Sequence, residues 1–153
     1  SESALSFSPD SQLIAYSSAD DTTRYINGIV GRFVQGGKDA RFTTYFAEVH
    51  PWTWLMTMMA DCRIFQELTV PDIIKQVFAD HPVADFKLEL TSTYRKWTYC
   101  VQYRETDFNF VSRLMEEEGI FYFFEHAEGG HPEQLLAVAF ILDVTIERNL
   151  ILR

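Results

Sequence analysis

The 153-residue chain carries 13 Lys and Arg against 22 Asp and Glu, a formal net charge of −9, which is the wrong sign for a phosphate-backbone binder and excludes nucleic acid as the expected partner. At 47% hydrophobic and 23% charged, it has the composition of a folded soluble protein rather than a disordered one. Aromatic residues make up 15%, with 13 Phe, 7 Tyr and 3 Trp; that is more large rings than a small monomer readily buries, and such rings concentrate in interface cores.

The first residues, Ser1-Glu2-Ser3-Ala4, lack the basic n-region of a secretory signal, and no apolar run reaches the ~18 residues of a membrane span. Synthesis in the cytoplasm is expected, with any export using a route that reads no cleavable signal. Arg24 to Val34 is β-branched and aromatic without a helical period, so it reads as a strand with Tyr25, Ile29 and Phe33 on one face. Gln35 to Asp39 reads as a turn. Arg41 to His50 then alternates Phe42, Thr44, Phe46 and Glu48 against Arg41, Thr43, Tyr45, Ala47 and Val49. The resulting hairpin has no clean polar face, so both sides are expected to meet protein, in a barrel or against a partner subunit.

Pro51 to Met59 fits two periods: Trp52, Trp54, Met56 and Met58 alternate, while Trp52, Leu55, Met56 and Met59 form a helix stripe. The reading adopted is a strand. Thr69 to Ala79 is a helix: Thr69 can cap, Pro71 sits in the first turn, Asp72 faces the positive dipole end, and Ile73, Ile74, Val77 and Phe78 share a face. Asp80-His81-Pro82 ends it. Phe86 to Leu90 and Trp97 to Arg104 alternate as strands. Thr106 to Glu117 is a second helix, capped by Thr106, with Phe108, Val111, Leu114 and Met115 on one face and Gly119 as a left-handed stop. Ile120 to Glu125 is a strand apolar on both faces, placing Phe121 and Phe123 in a core or an interface, and Leu135 to Arg153 reads as one or two more strands. The order of elements gives an α+β, strand-dominated fold.

Chemistry is hard to find along this chain. Cys62 and Cys100 are too few for a disulfide framework and read as reduced, buried small hydrophobes. His50 and His81 precede prolines and read as element ends; His126 and His131 flank a Gly-Gly turn. Glu125, His126, Glu128 and His131 match no zinc spacing. No nucleophile elbow, dinucleotide fingerprint or Walker loop is present. Glu116-Glu117-Glu118 reads as the solvated end of the second helix, at the unfavourable end of its dipole, which implies a nearby cation such as Arg113 or a partner chain. No catalytic, cofactor-binding or metal-binding residue is expected.

The stretch Tyr103 to Phe124 (YRETDFNFVSRLMEEEGIFYFF) resembles the VgrG proteins, the spike proteins of bacterial type VI secretion systems. Arg24 to Gly37 (RYINGIVGRFVQGG), Val49 to Leu55 (VHPWTWL) and Arg63 to Phe78 (RIFQELTVPDIIKQVF) resemble the same family in the same order. The resemblance implies a structural role without catalysis, in a hub similar to contractile-phage baseplate hubs, with β-barrel-like domains and peripheral helices. It further implies a homotrimer seated on a hexameric tail-tube protein, with baseplate components around it and a β-helical tip and effectors downstream, exported with the machine that punctures the target membrane. Tyr103, Arg104, Asp107, Phe108, Phe110, Arg113, Gly119, Phe121 and Phe123 are the motif positions expected to serve folding and assembly. The short lead before Arg24 and the continuation after Glu128 depart from the pattern. Residues 1–153 are therefore expected to be part of one hub region, incomplete or with loops left out near Leu13-Ile14 and within 127–135, with a sub-boundary near 60–70. The alternatives are a contractile-phage baseplate hub and, less well supported, a cell-wall-acting enzyme, for which Glu116 to Glu118 supply no carboxylate pair across a cleft.

Overall fold

A computed structural model of the chain describes residues 5–7, 13–17, 23–38, 40, 43–126 and 134–139. Strands β1 (Leu5–Phe7), β2 (Leu13–Ser17) and β3 (Thr23–Asn27) form an antiparallel sheet in that order. The expected first strand is thus divided at Gly28 into β3 and β4 (Ile29–Lys38), and only β4 pairs with β5 (Thr43–His50) as the long hairpin. A Cβ at Gly28 would lie 2.6 Å from Val49 and 2.8 Å from the His50 carbonyl, so the closeness of β5 demands a glycine there. The turn expected over residues 35–39 begins later, because β4 runs on to Lys38, opposite Thr43.

Pro51 to Met59 is not a strand. A 3-10 helix spans Trp52–Thr57, with the Trp54 N–H donating to the Pro51 carbonyl at 2.9 Å and the Met58 N–H to Leu55 at 3.1 Å. Trp52, Thr53 and Met56 are buried: the helix stripe prevails because it sends Trp52 edge-on against Phe78, with ring centroids 5.0 Å apart.

The helices form where their caps and apolar stripes place them. Helix α1 (Val70–Ala79) is capped by Thr69, whose Oγ1 accepts from the Asp72 N–H at 3.3 Å, and it buries Ile73, Ile74, Val77 and Phe78. Helix α2 (Asp107–Glu117) is capped by Thr106, accepting from Asn109 at 3.2 Å, and it buries Phe110, Val111, Leu114 and Met115. Gly119 follows with φ +67. A Cβ at that position would meet nothing within 4 Å, so Gly119→Ala is expected to cost about 1 kcal/mol through the backbone alone, read as a lowered midpoint in thermal melting.

The helices pack with the 3-10 helix over short sheets. Strand β6 (Ala60–Phe65), which alternation did not single out, pairs antiparallel with β10 (Cys100–Thr106); β7 (Leu68–Thr69) pairs with β9 (Lys96–Trp97). Strand β8 (Phe86–Glu89) runs parallel to β12 (Gln134–Ala139), which pairs antiparallel with β11 (Ile120–Glu125). The expected strand from Trp97 to Arg104 is therefore two strands, and residues 140–153 of the expected last strands lie outside the described residues. The fold is α+β and strand-dominated, and each sheet among the described residues has two or three strands. One apolar core joins Trp52, Met56, Phe65, Cys100 and both helices to Ile120, Leu135 and Ala137.

Candidate assembly surface

The motif residues divide between the inside and the outside of this body. Asp107, the first residue of α2, is 2% exposed. Its Oδ1 accepts from Arg63 Nη2 at 2.5 Å and from Gln102 Nε2 at 2.7 Å, and its Oδ2 faces His81 Nε2 at 3.0 Å. Arg63 also donates to Gln102 Oε1 at 2.9 Å and to Asp80 Oδ2 at 2.6 Å, with Asp61 at 3.3 Å. One guanidinium thus ties β6 to β10, to the end of α1 and to the start of α2. At the centre of this cluster the Asp107 and His81 side chains are each 3% exposed, closed off from solvent. His81 ends α1 as expected, but it is buried, and no local pattern announced its partner 26 residues further on.

Phe110 is fully buried and stacked on Phe65 at 5.5 Å, and Phe108 is half-buried against the core. Arg113 lies over Phe110 and donates to Glu105 Oε1 at 2.6 Å and to the Val101 carbonyl at 3.3 Å. The hydrogen bond to Glu105 raises its pKa and holds it charged. Arg113 is taken up mainly by Glu105, and Glu117 also acts on it through space, so it is a cation near the Glu116 to Glu118 run as expected; the direct ion pair there is Arg95 with Glu117 at 4.0 Å, while Glu118 accepts from Trp97 Nε1 at 3.3 Å. Cys100 is buried, and burial pushes its thiol pKa up, whereas Cys62 is exposed, contrary to its reading as a buried hydrophobe. Strand alternation explains the difference: Cys62 shares the outer face of β6 with Ile64, and Arg63 and Phe65 turn inward.

That outer face is apolar. Ile64 is 65% exposed and sits opposite Val101, while Tyr103, also 65% exposed, sits opposite Cys62; Tyr99 continues the row. Arg104 adopts φ +49 at a bulge, where Tyr103 and Glu105 face the adjacent residues Cys62 and Asp61, and its guanidinium lies 5.3 Å from the Tyr103 ring. A second apolar surface is the β4–β5 ribbon. Phe33 and Tyr45 stack at 5.7 Å, and Val34 and Phe46 are exposed opposite one another. The third is the outer face of β11, where Phe121 and Phe123, 46% and 42% exposed, stack at 6.5 Å. Ile120 is buried on the other face, with Tyr122 and Phe124 against the core. Phe121 and Phe123 are therefore outside the core, which corrects the core half of the sequence expectation.

Among the described residues no three His, Cys, Asp or Glu side chains converge as metal ligands. Of the weighed set Glu125, His126, Glu128 and His131, the last two lie outside the described residues, and His126 Nδ1 accepts the Asn27 N–H at 3.0 Å. No helix among the described residues is long and apolar enough to cross a membrane.

Comparison with known proteins places this geometry. The family model for the phage tail baseplate hub (GPD) matches residues 9–138. The chain is 56% identical over 108 residues to the type VI secretion system spike protein VgrG1c of Pseudomonas aeruginosa, covering 71% of this chain and 15% of that protein. It is 53% identical over 112 residues to VgrG1b of the same organism, covering 73% and 15%. The chain thus spans about one seventh of the length of these relatives. Among solved structures it is similar, with TM-score 0.71 and 27% identity over 87% of this chain and 38% of the other, to the E. coli c3393 protein, described as a component of the type VI secretion system with structural similarity to T4 bacteriophage tail proteins gp27 and gp5.

Proposed function

The chain belongs to the phage tail baseplate hub family, and from that premise we propose that it is the hub part of a type VI secretion spike, a structural component that trimerises at the end of the tail tube. The observation that carries the reading is the 56% identity to a spike protein over 108 residues, 71% of this chain. The exposed rings of β4–β5, β6–β10 and β11 support it physically, because apolar faces of this kind on a closed body are the surfaces oligomers cover. Tyr103, Arg104, Arg113, Phe121 and Phe123 are the assembly positions in this reading, while Asp107, Phe108, Phe110 and Gly119 hold the body that presents them. A division near residues 60–70 separates the exposed hairpin part from the helix-containing part, with the 3-10 helix reaching across it.

The partners in this reading are two further copies, a hexameric tail-tube protein, baseplate components and a downstream tip carrying effectors, and export proceeds with the machine rather than through a cleavable signal. The role is mechanical: helping to drive the tip through a target membrane. No step calls for an enzyme or a cofactor. Deleting the gene that encodes this chain is expected to abolish appearance of the tail-tube protein in the culture medium, with restoration by the full-length gene. Unchanged export would overturn the reading, and loss of phage particles instead would assign the chain to a phage hub.

A further inference from the structure

His126 and Asn27 are 99 residues apart in sequence and in direct contact. The Asn27 N–H donates to His126 Nδ1 at 3.0 Å. Asn27 ends β3 and is buried, and His126 directly follows β11. The contact therefore pins the junction between the first sheet and the β4–β5 ribbon to the end of the strand that closes the main core. A backbone N–H needs a lone pair on its acceptor, and an imidazole nitrogen offers one only while it carries no proton. We propose that the Asn27–His126 contact is an acid-sensitive latch, which holds the N-terminal strands against the end of β11 while His126 is neutral and releases them when Nδ1 takes a proton.

Two facts agree with this device. No charged group figures among the causes of the His126 shift, and Glu125, the acid beside it on β11, acts on Lys87 of β8. The residue as a whole is exposed, but its partial burial pushes the pKa below the ordinary 6.5, and burial is the sole cause of the shift. A histidine whose folded pKa is lowered contributes stability that is present above its unfolded pKa and is lost as pH falls through the folded value. The latch is closed at neutral pH and opens below 6.5, where the proton both removes the acceptor and sets two N–H groups against each other.

The test is amide exchange on the full chain, corrected for the intrinsic pH dependence, together with the ring-nitrogen signals of His126. At pH 7.5 the ring is expected in the tautomer with its proton on Nε2. Protection of the Asn27 amide should fall about tenfold between pH 7.5 and 5, the equivalent of losing one hydrogen bond to a part-buried acceptor. In His126→Gln, whose carbonyl oxygen accepts without titrating, the acid-dependent part of that fall should disappear. An Nδ1-protonated ring at pH 7.5, constant protection in the parent, or an equal fall in His126→Gln would each overturn the latch. The ring measurement needs no variant, so a His126→Gln chain that fails to fold does not remove the test.

Discussion

Asp107→Ala is expected to destabilise the fold by about 3–5 kcal/mol, because it removes one partner from a buried charge cluster and leaves the others uncompensated. The carboxylate accepts from Arg63 and Gln102 and faces His81 Nε2, at 2.5 to 3.0 Å, while 97% of it is out of water. Without it, His81 faces an empty site in a buried position. Gln102 keeps only the Glu105 carbonyl for its amide N–H donors, at 3.1 Å. Arg63 retains Asp80 and Asp61, both more than half exposed, so its charge is half-satisfied at the rim and the cost does not reach the full burial of an unpaired cation. The first turn of α2 also loses an anion at its positive end, worth a few tenths of a kcal/mol. Asp107→Asn keeps the volume and one carbonyl acceptor for Arg63 and Gln102, and should cost less than half as much. Urea unfolding measures both: the midpoint should fall with the slope unchanged. A midpoint for Asp107→Ala within about 0.5 kcal/mol of the parent would show that the cluster contributes no net stability, as when a buried ionic group merely balances its own desolvation.

Local signals made both helices legible. Thr69, Pro71 and Asp72, and likewise Thr106 and Asp107, lie within a few residues of the turns they define, so the caps and apolar stripes could be read without tertiary knowledge. The cluster around Asp107 could not be read in this way: two of its partners come from positions 26 and 44 residues away, His81 reading locally as a helix end and Arg63 lying in a strand that alternation did not single out. Pro51 to Met59 failed for a different reason. Two periods fit its apolar residues equally, and the choice was made by Trp52 finding Phe78 across the core, a contact that the segment itself does not encode. The rings of Ile120 to Glu125 marked a strand but not its orientation. A run apolar on both faces is the pattern of a strand buried twice, and this one is buried once, with Phe121 and Phe123 left on the open face.

That open face sets the second large effect. Changing Phe121 and Phe123 together to Asp is expected to leave the isolated chain folded, at a cost of about 1–2 kcal/mol, and to weaken self-association at least ~100-fold. The small first figure follows from exposure: each ring is more than 40% accessible, so no carboxylate is forced into the core. The losses include the Phe121–Phe123 ring pair, and what is added is a residue poorly suited to strands, each worth about 0.5–1 kcal/mol. Had the rings been in the core, the same change would cost several kcal/mol through burial of unpaired charge. The large second figure follows if a neighbouring copy covers β11, because assembly then buries two carboxylates against an apolar surface, and every 1.4 kcal/mol is tenfold in association. The other half of this sheet face argues that the cover is asymmetric: Lys87 and Glu89 of β8, paired with one another, lie beyond Leu136 and Val138 of β12 in register with Phe121 and Phe123. An apolar edge beside a charged one has the anatomy of an interface core with its rim. Thermal melting and light scattering of the full-length protein distinguish the outcomes. A double variant that stays folded, with a midpoint only a few degrees lower, and runs as a monomer places β11 in the interface. One that still assembles removes β11 from the interface and leaves the Tyr103 face and the β4–β5 ribbon to carry it, and one that fails to fold returns the rings to the core.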